Sequence, residues 1–271
     1  MPQSKSRSVA VFSLEGKKLR EIALPGAFSS EIEPELIGRA VLSIQSAGKQ
    51  PQGVKPFAGR QGSAEYRGSR ELPHMERGIN VGRARLPRKK NARGILAGDV
   101  AKVPQAVGGP KAHPPKVGSA KKEKINRKEK KKALQSAIAS CAVREMVEKR
   151  HRFSAQGLPV VVEDKLEELQ KTREVVNAFR SLGVLEDVEN ARAKRKRRTG
   201  KGRKRGRKFK KKKSVLLVTS KKAPVFRAAR NLEGVEVVPL RELNAELLAP
   251  GGVPGRLTVW SESAIKGVEG K

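Results

Sequence analysis

Residues 214–264 read SVLLVTSKKAPVFRAARNLEGVEVVPLRELNAELLAPGGVPGRLTVWSESA. Short apolar runs suited to strands alternate here with helical patterns. The predicted strands are Val215–Thr219, Val235–Pro239 and Leu257–Trp260, and the predicted helices are Pro224–Leu232 and Arg241–Leu248. Such alternation is typical of a parallel sheet covered by helices on both faces. The stretch therefore predicts an α/β fold: a three-layer α/β/α domain with a mainly parallel sheet.

Two earlier stretches have the same globular character. Ser8–Ser46 opens with an alternating pattern around Glu15-Gly16 that predicts a β-hairpin, and then has helical spacing over Glu31–Ser46. Ala133–Glu189 predicts a helix, the buried strand Leu158–Val162 and a second helix capped by Gly183. The first of these helices has Leu134, Ile138, Cys141, Ala142 and Met146 on one side, and the second has Val175, Val176, Phe179 and Leu182 facing inward. We expect residues 1–46 and 133–271 to form one domain.

The segment between them, Ala47–Lys132, has a different composition. Its 86 residues include 12 Gly, 8 Pro and 23 Lys or Arg, with neither strand nor helix periodicity. Irregular segments of this length are usually functional or disordered when free. Because a predicted helix precedes and another follows it, we expect a long extended loop whose ends lie close together. The tip would fall near the midpoint, around Arg88–Gly94.

A second basic segment lies inside the domain. Arg192–Lys213 contains 16 Lys or Arg in 22 residues and no Asp or Glu. Such a run repels itself and needs a polyanion, of which nucleic acid is the densest that a protein meets. Its place just before a strand predicts a basic loop mounted on a rigid scaffold. The plainer interpretations are a localisation signal or an unspecific polycation.

The overall charge of the chain also favours nucleic acid as the partner. Sixty-one basic residues outnumber 27 acidic ones, for a formal net charge of +34. An anionic membrane surface is the main competitor of nucleic acid. No apolar run approaches the roughly 20 residues needed to span a bilayer, and the N-terminus does not resemble a signal peptide. A single cysteine, Cys141, excludes an internal disulfide and fits a reducing compartment. We therefore expect a cytoplasmic protein, or a nuclear one in a cell that has a nucleus.

Enzyme signatures fail on inspection. The stretch GKGRKRG, residues 200–206, matches neither a phosphate loop nor a dinucleotide fingerprint. His74, His113 and His151 are dispersed without metal-ligand spacing, so no metal or cofactor is predicted. The carboxylates of Glu163-Asp164 and Glu167-Glu168 are more typical of a helix N-terminus than of a catalytic crevice. Cys141 and Trp260 are interpreted as core residues. The sequence therefore predicts no catalytic residues.

Several short motifs, in order, carry a family resemblance. They are Gly82–Arg88, Val103–Pro115, Thr199–Gly206, Ala228–Leu232 and Pro254–Trp260. Together with the long loop between the first two helices they resemble the universal large-subunit ribosomal protein four, in its archaeal and eukaryotic form. The length, without a long C-terminal extension, is most similar to an archaeal member. The resemblance covers nearly the whole chain.

That resemblance implies a non-enzymatic structural constituent of the large ribosomal subunit. The expected partners are large-subunit rRNA, neighbouring large-subunit ribosomal proteins and the nascent peptide, without a membrane. The loop would be embedded in rRNA and line the narrow part of the exit tunnel, with the tip residues Arg88, Lys89, Lys90 and Arg93 nearest to it. Arg203, Arg205 and Arg207 are the strongest candidates for ordered RNA contacts.

The full set of predicted rRNA-binding residues follows the basic side chains, since Arg and Lys contact phosphates and Arg also stacks on unpaired bases. In the long loop they are Arg60, Arg67, Arg70, Arg83, Arg85, Arg88, Lys89, Lys90, Arg93, Lys111, His113 and Lys116. In the basic loop of 192–213 they are Arg197, Arg198, Lys201, Arg203, Arg205 and Arg207.

Two other functions remain open from the sequence. An RNA-modifying enzyme with basic extensions would need a cofactor fingerprint after a strand, and the sequence contains none. A nucleolar or chromatin-associated polycation would have no stable core, which the strand–helix alternation argues against.

Overall fold

The structure is a computed structural model that describes residues 8–58, 63–74, 76–90, 98–119 and 122–270. The chain divides into two compact units. The first is formed by residues 1–48 and 122–271, and the second by residues 49–121.

A six-stranded sheet forms the centre of the first unit, in the order β2-β1-β5-β10-β8-β9. The strands are β1 (Ser8–Phe12), β2 (Lys18–Ala23), β5 (Val160–Val162), β8 (Leu216–Thr219), β9 (Glu236–Pro239) and β10 (Thr258–Ser261). β1 and β2 form an antiparallel hairpin, and every other neighbouring pair is parallel. In the middle of the sheet, Trp260 on β10 lies opposite Val161 on β5 and Val218 on β8.

Helices connect these strands. They are α1 (Pro34–Ala47), α2 (Arg127–Ser140), α3 (Arg144–Glu148), α4 (Lys165–Glu168), α5 (Thr172–Ser181), α6 (Leu185–Ala193), α8 (Val225–Ala229), α9 (Ala245–Leu248) and α10 (Glu262–Lys266). Short 3-10 turns cover Gly26–Ser29, Leu240–Glu242 and Gly267–Gly270. The first basic residue of the run 192–213 therefore lies within α6.

The two faces of the sheet have separate cores. On one face, Val161 and Trp260 pack with residues of α1, α2, α9 and α10, and the Trp260 ring meets Phe28 edge-on at 5.5 Å. On the other face, Val160 and Val259 pack with residues of α3, α4, α5, α6 and α8. Because neighbouring strand residues point to opposite faces, wholly apolar strands feed both cores at once. The predicted three-layer α/β/α fold with a mainly parallel sheet is confirmed.

Two predicted helices are each divided in the structure. The helix predicted from Ala133 begins at Arg127 and ends at Ser140, and α3 is separate from it. The break lies where Gly255 passes, since its N–H donates to the Ser140 hydroxyl and a side chain there would meet the Met146 carbonyl. Met146 therefore does not continue the apolar face of α2.

The helix predicted over Arg241–Leu248 also has two parts, a 3-10 turn and α9. Asn244 separates them because its side chain accepts a hydrogen bond from the Leu247 N–H at 2.9 Å and so begins a new helix. The sequence patterns did not predict α6, α10 or the short helix Lys201–Lys204. By contrast, the expected cap at Gly183 is confirmed, since this residue follows α5 with φ of +69°.

The second unit has little regular structure. β3 (Ala64–Glu65) pairs antiparallel with β4 (Arg88–Lys89), and Val100 forms a single bridge to Arg88. Among the described residues of this unit, Ala101 is the one hydrophobic side chain that is buried. A unit so poor in buried apolar surface gains little stability from its own packing.

One buried cation holds four elements of the first unit together. Arg256 is fully buried; its Nε donates to the Ser214 carbonyl at 2.9 Å and its Nη1 to Glu236 at 2.7 Å and to the Leu247 carbonyl at 2.8 Å. These contacts connect β10, the start of β8, β9 and α9. A buried charge of this kind is tolerated because it is paired and hydrogen-bonded.

Replacing Arg256 with Met should lower the free energy of unfolding by about 3 kcal/mol, because buried acceptors lose their donor. Urea denaturation of the full chain measures this. Arg241→Met, at an exposed arginine, is the control and should change the midpoint little. Equal midpoints for the two variants would contradict a role of Arg256 in holding these elements.

Candidate RNA interface

The basic run folds into a hairpin rather than an irregular loop. β6 (Lys196–Arg197) pairs antiparallel with β7 (Phe209–Lys210), and α7 (Lys201–Lys204) lies between them. Gly200 and Gly206 enter and leave α7 with φ of +72° and +82°, which L side chains rarely adopt. We call residues 195–213 the basic hairpin.

Carboxylates of the first unit hold the stem of this hairpin. Glu233 lies between its two sides: Arg195 Nη1 is 2.9 Å and Lys211 Nζ 3.4 Å from its carboxylate oxygens. Glu236 pairs with Lys213 as well as with Arg256. The Arg195 guanidinium also lies 4.2 Å from the centre of the Phe209 ring, a cation–π contact across the β6–β7 pair.

A buried cluster fastens the end of the stem. Asp187 of α6 is fully buried and accepts from Lys212 Nζ at 2.8 Å and contacts His151 Nδ1 at 2.7 Å. Burial by itself raises the pKa of Asp187, but the His151 and Lys212 contacts outweigh it and hold that pKa below its usual value. Burial lowers the pKa of His151, which is therefore neutral at neutral pH.

The distal part of the hairpin has no such partners. Within the described ranges, none of its predicted RNA-binding side chains has a carboxylate in ion-pair contact, and all are exposed. They are Arg197, Arg198, Lys201, Arg203, Arg205 and Arg207. The hairpin thus has a neutralised stem and an unneutralised tip, an arrangement that presents fixed donors to an external polyanion.

In the second unit, three of the predicted residues are occupied by internal contacts. Arg88 donates to the carbonyls of Gly98 at 3.1 Å and Ala84 at 2.7 Å. Lys89 pairs with Asp99 at 3.2 Å, and Arg67 lies 3.3 Å from both Glu65 and Glu76. These side chains hold the unit's own turns, which leaves less of their hydrogen-bonding capacity for RNA.

The remaining predicted residues of that unit are exposed where they are described. These are Arg70, Arg83, Arg85, Lys90, Lys111, His113 and Lys116. Arg60 and Arg93 lie outside the described residues. Contact of this set with rRNA stays a prediction.

The structure has a further basic surface, in a segment that the sequence pattern predicts to be part of the long loop. Arg127, Lys128, Lys130 and Lys131 are exposed on the first turns of α2. The signal was available in the sequence: Asn126 and Glu129 have the spacing of a capping box, and the Glu129 carboxylate accepts from the Asn126 N–H at 3.3 Å. That pair marks a helix start and places the cations on a rigid element.

The acidic residues of the sheet edge have structural partners. Glu167 accepts from Ser220 N–H at 2.7 Å and Ser261 Oγ at 2.6 Å, and Asp164 accepts from Ser263 N–H at 2.9 Å. The helix N-terminus interpretation agrees with the structure, since Asp164 is the N-cap residue of α4 and Glu167 and Glu168 lie in its first turn. The Asp164 side chain makes no capping hydrogen bond and binds Ser263 of α10 instead. These contacts fill the carboxyl edge of the strands, where α/β enzymes usually bind ligands.

Other candidate chemistry is absent from the described part of the chain. It has no group of three His, Cys, Asp or Glu side chains arranged to hold a metal ion, and no helix long and apolar enough to cross a membrane. Cys141 is fully buried, and burial raises the pKa of its thiol to about 12. The interpretation of Cys141 and Trp260 as core residues is confirmed.

The buried His151 should make folding stability depend on pH. Its folded pKa is below the usual 6.5, so the stability it contributes is present above pH 6.5 and lost as pH falls through the folded pKa. The loss is at most about 1.4 kcal/mol per pH unit. Urea midpoints measured from pH 7.5 to 5.5 should fall for the native chain and stay flatter for His151→Asn. His113→Gln, at an exposed histidine, should keep the native slope; a native slope in His151→Asn would contradict the assignment.

Comparison with known proteins identifies relatives of this chain. Three archaeal proteins named large ribosomal subunit protein uL4 are similar over nearly their whole length. The one from Methanoculleus marisnigri is 48% identical over 259 residues, 96% of this chain and 97% of that protein. Those from Archaeoglobus fulgidus and Methanocaldococcus jannaschii are each 46% identical, over 94% of this chain and 96% of theirs. A family model matches residues 22–271, and the chain belongs to the Ribosomal protein L4/L1 family.

Proposed function

We propose that this chain is a structural, non-catalytic constituent of the large ribosomal subunit in the cytoplasm. It binds large-subunit rRNA through the basic hairpin and the second unit, and the second unit lines part of the nascent-peptide exit tunnel. The observation that carries the RNA-binding part is the basic hairpin, with its paired stem and unpaired tip. The uL4 names of the archaeal relatives support the ribosomal assignment.

The mechanism of binding is electrostatic. The tip arginines neutralise phosphates and release the counterions condensed on RNA, which supplies sequence-independent affinity. The stem contacts of Glu233 and Asp187 keep the donors in place before RNA arrives, so fewer side chains have to be ordered on binding.

The second unit is suited to ordering by RNA. Residues 49–121 contain 16 Lys or Arg against four Asp or Glu, and the described part buries a single hydrophobic side chain. Segments of high charge and little apolar burial gain their order from a partner. We propose that rRNA supplies the counter-charge and the packing surface that this unit lacks.

The chain leaves and re-enters the first unit at neighbouring points. The Ser43 hydroxyl donates to the Glu123 carbonyl at 2.8 Å, and the Glu123 N–H donates to the Ser46 hydroxyl at 2.9 Å. These contacts support the expectation that the ends of the long loop lie close together. Closing so long a loop costs little more than closing a short one, so the fold tolerates the insertion.

Contact with the tunnel is proposed from the family resemblance. Of the three predicted tip residues that the structure describes, Lys90 is the best placed, because its side chain is exposed while Arg88 and Lys89 have internal partners. The nascent peptide and neighbouring large-subunit proteins are then the protein partners of this unit. An RNA-modifying enzyme is less well supported, since the carboxyl edge of the sheet is filled by internal hydrogen bonds.

Replacing Arg203, Arg205 and Arg207 together with Gln should weaken binding to large-subunit rRNA and lower the slope of log Kobs against log salt by about 2 to 3. The control replaces three exposed cations elsewhere on the first unit, Arg173, Lys221 and Arg241. It should change the slope by less than half as much. A slope near zero in the native chain would refute phosphate neutralisation as the main source of affinity.

Deleting Lys55–Pro110 should leave the first unit folded. The residual segment can close because the Val54 N–H donates to the Pro115 carbonyl at 3.3 Å. Circular dichroism of the free protein should keep the helical signal, while subunits assembled with the variant should have a wider tunnel in a density map. Global unfolding would contradict the division into two units, and an unchanged tunnel would contradict the tunnel proposal alone.

A further inference from the structure

An open groove lies on the first unit beside the basic hairpin. It has a volume of about 470 Å³ and is formed by α5, α6 and the turn after α8. We call it the α5–α6 groove. Its lining includes Val176, Leu185, Val188 and Leu232 below and Arg180, Glu189, Arg192, Arg195, Asn231 and Glu233 around the lip.

The floor of the groove is apolar. Val188 is 6% exposed, and Leu185 and Leu232 are half-buried against the core formed with α5 and α8. Val176 is half-buried as well. A flat ligand that lies on this floor gains dispersion contacts and is removed from water. The volume lies in the range of small-molecule sites.

The lip carries polar groups without partners. Arg180 of α5 and Arg192 of α6 are exposed, and neither guanidinium has a hydrogen bond or ion pair within the described residues. The side-chain amide of Asn231 is likewise without a partner in that part of the chain. Guanidinium groups bind phosphate, and an amide can both donate to and accept from the edge of a base.

The groove is continuous with the basic hairpin. Arg195 belongs to both: it lines the groove, begins the hairpin, stacks on Phe209 and pairs with Glu233. Because that pair neutralises Glu233, the remaining charges on the lip are the two guanidinium groups of Arg180 and Arg192 and the single carboxylate of Glu189. A strand of RNA on the hairpin would pass a net positive, apolar-floored recess.

We propose that the α5–α6 groove binds one unstacked adenine nucleotide of the RNA strand that the basic hairpin contacts. The proposal rests on the proposed function. The base lies on Val176, Leu185 and Leu232, and Arg180 and Arg192 hold the flanking phosphates. Asn231 bonds the base through the donor–acceptor pair that suits adenine, and Glu189 accepts from the exocyclic amino group.

The first test uses the full chain and fluorescent octamers of adenylate and uridylate. The native protein should bind the adenylate octamer several-fold more tightly. Leu185→Gln and Arg180→Gln should each weaken that binding about fivefold or more, whereas Arg173→Gln, on α5 but outside the groove, should change it less than twofold. Asn231→Ala should reduce the ratio of adenylate to uridylate affinity. It should leave the slope of log Kobs against log salt unchanged, since it removes no phosphate contact.

The outcomes separate this proposal from the proposed function. Steep salt dependence with no base preference, or groove variants that match Arg173→Gln, would overturn the nucleotide site and leave RNA binding intact. Loss of all affinity for large-subunit rRNA in the native chain would instead refute the proposed function. Groove variants that bind RNA normally but fail to retain a neighbouring protein in assembled subunits would make the groove a protein site and overturn the proposal.

A second measurement needs no variant and so does not depend on the folding of Leu185→Gln. An adenylate octamer with one 8-azidoadenosine is crosslinked to the native chain, and the adducts are mapped by mass spectrometry. Adducts on Leu185, Asn231 or Leu232 are expected. Adducts confined to the basic hairpin would overturn the proposal.

Discussion

The structure depends on how an excess of positive charge is balanced. With 61 basic and 27 acidic residues, carboxylates are too few to pair every cation. Those of Asp187, Glu233 and Glu236 lie where the basic hairpin joins the sheet and α6, and there they pair with Arg195, Lys211, Lys212 and Lys213. These pairs relieve charge repulsion at the junction, where it would destabilise the core. Repulsion remains at the tip, where an external polyanion can relieve it.

Two of these carboxylates, Glu236 and Asp187, also bind buried side chains of the first unit. Arg256 and Lys213 share Glu236, so the carboxylate that steadies the hairpin also pairs with the fully buried cation behind β8 and β9. Asp187 similarly joins His151 and Lys212. Because buried charges are stable only in well-formed geometry, these pairs couple the position of the hairpin to the packing of the first unit. The scaffold therefore holds the basic side chains of the hairpin at defined places rather than on a loose tail.

The two units obtain their order in different ways. The first has two apolar cores, one on each face of its sheet, and is stabilised by burial. The second has a two-residue strand pair and internal salt bridges such as Lys89–Asp99, contacts that add little stability in water. This difference explains why one chain can combine a rigid first unit with a second unit that gains little stability from its own packing, and why Arg67, Arg88 and Lys89 serve the turns of the second unit.

The fold class, the hairpin at Glu15-Gly16 and the cap at Gly183 could be predicted from the sequence, and the sequence also predicts a polyanionic partner, because apolar alternation, turn residues and net charge are local or additive properties. It missed the break after Ser140 and the division at Asn244, and it placed the start of α2 at Ala133 rather than Arg127. It also could not tell the paired stem of the basic hairpin from its free tip, or bring Arg180, Arg192 and Asn231 to one groove. Only the tertiary structure decided these, since each depends on which distant backbone or side chain comes within a few ångströms.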